Sequence, residues 1–135
     1  MIVQVAAAII KDKTGRILIG RRKQAPGDSC AGLWEFPGGK VEDGESQVQC
    51  LVRECQEELG LKIAVGERYA SVRHTYPERT VEVSFWLAFA KSSEAKAQVH
   101  TELRWIWSRE LGEYAFCPAN ADVVARLQAE TQKET

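Results

Sequence analysis

Three glutamates and one arginine mark where chemistry is to be sought. Glu54, Glu57 and Glu58 follow Arg53 within "RECQEEL". Residues 46–59 carry the strongest helical pattern of the chain. Ser46 suits the N-cap, Gln49 three residues later completes a capping box, and Gly60 suits the stop. On that helix Glu54, Glu57 and Glu58 stand at i, i+3 and i+4, so their carboxylates meet on one face. Like charges so placed oppose the helix by roughly a few tenths of a kcal/mol per pair, and the dipole disfavours them near its C-terminal end. A divalent cation between them removes both penalties, and hard oxygen donors select Mg²⁺ or Mn²⁺ over zinc. An isolated acidic pair would read as a solvated face. Arg53 beside the cluster and the Gly38-Gly39 pair ahead of it favour a cation site instead.

The elements that must position this cluster follow from pattern. "VQVAAAIIK" reads as a buried strand, "DKTG" as a turn and "RILIGRR" as a second strand, together a hairpin. Residues 23–32 have the composition of a loop, and "LWEFPGGKV" is short extended chain around a Pro-Gly-Gly turn. On the 46–59 helix Val48, Leu51, Val52, Cys55 and Leu59 are the face expected in the core. "KIAVGERYASVRHTY" and "RTVEVSFWLAFA" read as an antiparallel pair, "ELRWIW" as a later strand, and "CPANADVVARLQAE" as a closing helix with Val123, Val124 and Leu127 on one face. This order predicts an α/β fold with a mixed β-sheet covered by helices. Residues 1–130 are expected to form one domain and 131–135 a flexible tail.

Totals exclude several function classes. A chain of 135 residues can bury one ordinary core but not two. With 44% hydrophobic and 27% charged residues it is not a disordered or fibrous composition. The net charge of −1 supplies no field that would draw it to nucleic acid or an anionic membrane. A phosphate ligand must therefore be held by a local site. Cys30, Cys50, Cys55 and Cys117 form no CxxC pair and no zinc spacing with His74 and His100, so they are expected as reduced, buried thiols. The apolar run near the start is too short to span a membrane and lacks a signal peptide's basic beginning, which predicts a cytoplasmic protein.

The segment from Gly39 to Leu61 resembles the Nudix box, G-x5-E-x7-R-E-U-x-E-E-x-G-U, where U is a bulky aliphatic residue. Gly39, Glu45, Arg53, Glu54, Glu57, Glu58, Gly60 and Leu61 match, and Cys55 takes the first U position as a small apolar substitute. Similarity to the MutT-like branch extends over nearly the whole chain. The resemblance implies an α/β/α sandwich and a Mg²⁺-dependent hydrolase, with Mn²⁺ able to substitute. It implies that Glu54, Glu57, Glu58 and the carbonyl of Gly39 ligate the metal, and that one carboxylate helps deprotonate the attacking water. Arg53 would pair with the glutamates and orient them, Glu45 would be its structural partner, and Gly38 would permit close approach to the ligand. A further metal-binding glutamate often found in this branch falls on Val99 here, with Glu102 nearby.

The resemblance further implies a nucleoside triphosphate as substrate, cleaved to the monophosphate and pyrophosphate. Phe36 would border the nucleotide, and Arg22 rather than Arg21 would reach its phosphates. Asn120 would hydrogen-bond an oxidised guanine, since an amide donates and accepts at once. Asn120 could alternatively cap the closing helix. The leading expectation is an 8-oxo-dGTP diphosphatase in nucleotide-pool sanitation. The alternatives are hydrolysis of CTP, dCTP or oxidised pyrimidine triphosphates, and a Nudix-like binding module without turnover. A monomer or homodimer with neither a nucleic-acid partner nor a membrane completes the expectation, and His74 and His100 are read as structural or peripheral.

Overall fold

The computed structural model describes residues 2–134, with side chains described for 2–130. The side chains of the tail expected at 131–135 lie outside the described residues. Strands β1 (Ile2–Lys11), β2 (Ile17–Arg22), β3 (Trp34–Glu35) and β4 (Gly38–Lys40) precede helix α1 (Gln47–Leu59). Strands β5 (Ala64–Thr75), β6 (Thr80–Phe89) and β7 (His100–Ile106) follow, then a 3₁₀ helix (Ser108–Glu113), a 3₁₀ turn (Pro118–Asn120) and α2 (Ala121–Glu134). The sheet runs β3-β2-β1-β6-β5, with β4 added to β1 and β7 to β2.

Strand β1 is the axis. It pairs in parallel with β6 from Ile2↔Thr80 to Lys11↔Phe89, and β6 pairs antiparallel with β5. The expected hairpin of β1 and β2 forms only at its turn, with the single register pair Lys11↔Ile17. Beyond that point the two strands part, and β4 takes the freed edge of β1 from Val5↔Lys40 to Ala7↔Gly38. The turn itself is held by Asp12, whose carboxylate accepts hydrogen bonds from the backbone N–H groups of Thr14 and Arg16 at 2.9 and 3.0 Å.

Alternation along the central strands builds two cores. Ala7, Ile9, Ile17 and Ile19 join Phe85, Val123 and Leu127 under α2. Ala6, Ala8, Ile10 and Leu18 join Leu51, Cys55 and Leu59 under α1. A strand buried on both faces between two helical layers is the arrangement a mixed sheet needs. Ser46 caps α1 as expected, accepting from the Gln49 N–H at 3.1 Å while Gln49 Oε1 accepts from the Ser46 N–H at 2.9 Å. Gly60 ends it in the left-handed conformation, φ 66°.

The buried face of α1 differs from the expected one. Leu51, Cys55 and Leu59 are in the core, but Val48 and Val52 are 37% and 44% exposed and Cys50 is buried in their stead. The helix is rolled about its Leu51–Cys55–Leu59 line toward the side of Glu54 and Glu58. That roll carries two carboxylates into a cleft beside β4 and turns the valines outward.

Candidate active site

Arg53 organises the acidic face of α1. Its Nε and Nη2 donate to Glu45 Oε2 and Oε1 at 2.7 and 2.9 Å, a two-pronged pairing. Its Nη1 donates to Glu54 Oε1 at 2.7 Å and to Glu57 Oε2 at 3.4 Å. The hydrogen bonds from Arg53 hold the Glu45 carboxyl down at about 2. Glu58 behaves in the opposite way. Burial pushes it up to about 8, reinforced by a hydrogen bond and charge from Glu54 and by the charges of Glu35 and Glu57. A half-buried carboxylate beside another carboxylate lacks a counter-charge.

Gly39 lies directly over Glu54. A Cβ added there would stand 2.5 to 2.8 Å from the Glu54 carboxyl atoms, and one added to Gly38 would run into the Ala6 carbonyl. Only glycine lets β4 pass between β1 and this helix. The Gly39 and Lys40 carbonyls also accept the Cys50 thiol, with sulfur 3.6 and 3.5 Å away. Carboxylate and main-chain oxygens are thus gathered at one place, and Glu58 without a counter-charge is the observation that fits a hard cation there. Glu57 lies 62% exposed at the rim. Among the described residues no three acidic, histidine or cysteine side chains converge as a closed cation site. The Arg53 guanidinium stands between Glu54 and Glu57.

A cavity of about 440 Å³ is lined by Gly38, Gly39 and Glu58 together with Asn120. Val3, Val5, Val81 and Val83 give it apolar walls. Phe36 also lines it while packing edge-on to Phe85 and tilted against Phe116, at ring separations of 6.1 and 5.4 Å. Of the two adjacent arginines, Arg22 lines the cavity and Arg21 turns away to the Gly32 carbonyl and Glu102. The Arg22 guanidinium is already engaged. It donates to Asp28 Oδ2 at 2.6 Å and to Glu35 Oε1 at 3.1 Å. Glu102 pairs with Arg21 and Arg104 as an ordinary strand residue, and Val99 borders the cavity.

Asn120 is 6% exposed and lies inside the 3₁₀ turn, one residue before α2. Its Nδ2 donates back to the Cys117 carbonyl at 3.0 Å. A capping side chain accepts from the helix ahead of it, so this hydrogen bond is not a cap.

Two residues on the cavity wall, buried His100 and half-buried Glu35, were not among the expected site residues. His100 is 4% exposed, and its Nε2 lies 3.0 Å from Glu35 Oε2. Its Nδ1 is buried without a partner. Gly20 makes room for the ring, since a Cβ there would stand 2.6 Å from Cδ2. Asp28, Arg22, Glu35 and His100 therefore form one chain of polar contacts along the wall, two ion pairs and the Glu35–His100 hydrogen bond. The only signal in the sequence was Glu35 set between the buried aromatics Trp34 and Phe36, a place where an unpaired carboxylate is costly.

The arrangement can now be compared with known proteins. The NUDIX domain family matches residues 5–126. The chain belongs to the Nudix family. A curated relative, the CTP pyrophosphohydrolase of Escherichia coli K12, is 39% identical over 127 residues, covering 94% of this chain and 92% of its own. The 8-oxo-dGTP diphosphatase of Haemophilus influenzae is 36% identical over 130 residues, covering 96% and 94%. Among solved structures, the MutT protein of Methanosarcina mazei Go1 superposes with a TM-score of 0.85 at 25% identity, over 96% of this chain and 95% of that one. This Nudix hydrolase has the α/β/α sandwich expected from its sequence, with α1 carrying Arg53, Glu54, Glu57 and Glu58.

The cysteines require a correction. Cys50 and Cys55 are free and buried, as expected, but Cys30 and Cys117 are joined by a disulfide. They stand 87 residues apart, and only the packing of the 23–32 loop on the Cys117 segment brings them together.

Proposed function

We propose that this Nudix hydrolase converts a nucleoside triphosphate and water into the nucleoside monophosphate and pyrophosphate, with 8-oxo-dGTP its preferred substrate. The observation that carries the reading is that Asn120 and Glu58 line the same cavity. With one amide N–H spent on the Cys117 carbonyl, Asn120 keeps a donor and an acceptor for a purine edge. Phe36 and the valine walls bury the base. Glu54, Glu57, Glu58 and the Gly39 carbonyl would hold Mg²⁺, or Mn²⁺ in its place. When bound, such an ion neutralises phosphate oxygens and lowers the barrier to attack by water at the β-phosphorus. Arg53 fixes Glu54 and Glu57, and Glu45 fixes Arg53. Since Asp28 and Glu35 neutralise Arg22, its role is to set the wall of the pocket, and a phosphate contact would require exchange of one of those partners.

Sanitation of the free nucleotide pool places the enzyme in the cytoplasm, acting as a monomer or homodimer without nucleic acid. No helix among the described residues is long and apolar enough to cross a membrane. The similarity to the CTP pyrophosphohydrolase favours a second reading, with CTP or dCTP in the same pocket. Pyrophosphate release with Mg²⁺ decides between them, comparing 8-oxo-dGTP, dGTP, CTP, dCTP and 5-hydroxy-dCTP by kcat/KM. An advantage for the cytidine compounds would overturn the first reading and leave the α1 assignment standing.

A further inference from the structure

We propose that Cys30 and Cys117 are a redox-active pair that latches the nucleotide pocket, oxidised by a low-molecular-weight disulfide through thiol–disulfide exchange. The inference rests on the reading that Asn120 meets the base. Their Cα atoms are 5.3 Å apart, within the span a disulfide bridges, and both residues line the cavity.

The pair joins two segments that each carry part of the pocket. Cys30 belongs to the 23–32 loop, and Cys117 directly precedes the turn that presents Asn120. The loop's other polar ties run elsewhere: Asp28 to Arg22 at 2.6 Å, Ser29 Oγ to Glu78 at 2.8 Å, and Gly32 to the Arg21 side chain and the Arg22 carbonyl at 2.9 and 3.1 Å. Among the described residues only the disulfide joins this loop to the Asn120 segment. Through its sulfur Cys117 holds the loop, and through its carbonyl it holds the Asn120 amide. One residue thus couples the state of the bond to the placement of the base-reading group.

Tyr76 suits the sulfur chemistry. Its hydroxyl accepts from the Ala119 N–H at 2.9 Å and lies 2.9 Å from Cys117 Sγ. A disulfide sulfur has no proton, so the hydroxyl donates to it. A donor there favours Cys117 as the thiolate, the form that leaves when the bond is broken and attacks when it forms. In oxidation the Cys30 thiolate attacks a small disulfide and releases one small thiolate. The Cys117 thiolate then attacks Cys30 Sγ in the mixed disulfide and releases the second. The protein loses two protons and two electrons, and the small disulfide gains both. Reduction by a small thiol runs the same steps backward.

In the bonded state the cavity is formed before any ligand arrives. In the reduced state the loop must be ordered by the nucleotide, so affinity falls, while α1 and Gly39 on the other face of the sheet keep kcat.

The test compares protein equilibrated with oxidised glutathione and with dithiothreitol. Thiols titrated after denaturation should number two in the first case, for Cys50 and Cys55, and four in the second. Amide hydrogen exchange across the 23–32 loop should quicken on reduction, a readout that needs no substrate. Binding of 8-oxo-dGMP and CMP should be weaker by about threefold or more in the reduced protein for whichever of them binds, with kcat on the triphosphate within about twofold. Cys30→Ser should show the weaker affinity in both buffers. Four thiols after oxidation, unchanged exchange in the loop, or a redox response retained by Cys30→Ser would each overturn the proposal. Failure of both monophosphates to bind would instead sink the substrate reading. Thiol count and exchange would still decide whether the latch exists.

Discussion

Replacing Glu58 by Gln should make the metal-free protein more stable at alkaline pH. Burial and the neighbouring carboxylates raise Glu58 from 4.5 to about 8. Its folded pKa therefore lies above the unfolded value. The stability associated with its proton is fully present below about 4.5 and is lost as pH rises through about 8. Each pH unit in that window costs about 1.4 kcal/mol, so the whole shift sets a ceiling of about 5 kcal/mol. Glu58 is only half-buried, and screening by solvent brings the expected loss to about 2 kcal/mol. Glutamine carries no proton to lose. Urea unfolding in EDTA at pH 5.5, 7 and 8.5 should show wild type weakening with pH, and Glu58→Gln weakening less by about that amount. Mg²⁺ should restore wild type at pH 8.5 and leave the variant unchanged, since a cation can stand in for the proton only where a carboxylate remains. Parallel pH profiles for the two proteins would refute the account of a carboxylate without a counter-charge.

Other substitutions separate the parts of the site. Glu57→Gln should lower kcat by about a hundredfold or more with a urea midpoint near wild type, because the side chain is 62% exposed; retained turnover would remove Glu57 from the metal site. Gly39→Ala should lose both activity and stability by about 1–3 kcal/mol, since the added methyl meets the Glu54 carboxyl; an active, stable variant would show that β4 can yield. Asn120→Ala should reduce the preference for 8-oxo-dGTP over dGTP by about tenfold, the worth of one or two hydrogen bonds, and an unchanged ratio would exclude it from base reading. Dithiothreitol should lower the Tm, because a bond closing an 87-residue separation is worth at most about 4–5 kcal/mol; a Tm indifferent to it would mean that the bond does not hold the fold.

What was legible in the sequence was what is local. The cap at Ser46, the stop at Gly60 and the spacing of Glu54, Glu57 and Glu58 depend on neighbours within a few residues, and each stands in the structure as read. The β5–β6 pair was readable for the same reason, its strands joined by a short turn. The β1–β2 hairpin was only half right because β4, arriving from later in the chain, competes for the same edge. The disulfide and the Asp28–Arg22–Glu35–His100 chain join segments between 6 and 87 residues apart, and no periodicity records such contacts.

Val48 and Val52 show where local reading fails for a functional reason. Apolar pattern alone places them inside, because burying them costs nothing and exposing them forfeits about 1–2 kcal/mol each. The helix nevertheless presents them to solvent and turns Glu54 toward Gly39 and Glu58 into the cavity. Burial of the carboxylates is itself unfavourable; Arg53 answers the charge of Glu54 at 2.7 Å, while Glu58 is left without a counter-charge. In the proposed metal site a cation would supply the counter-charge that Glu58 lacks, and that gain would offset the cost of leaving the valines in solvent. The exposed valines and the raised Glu58 are therefore two consequences of one orientation of α1, which the proposed cation site would explain and packing alone does not.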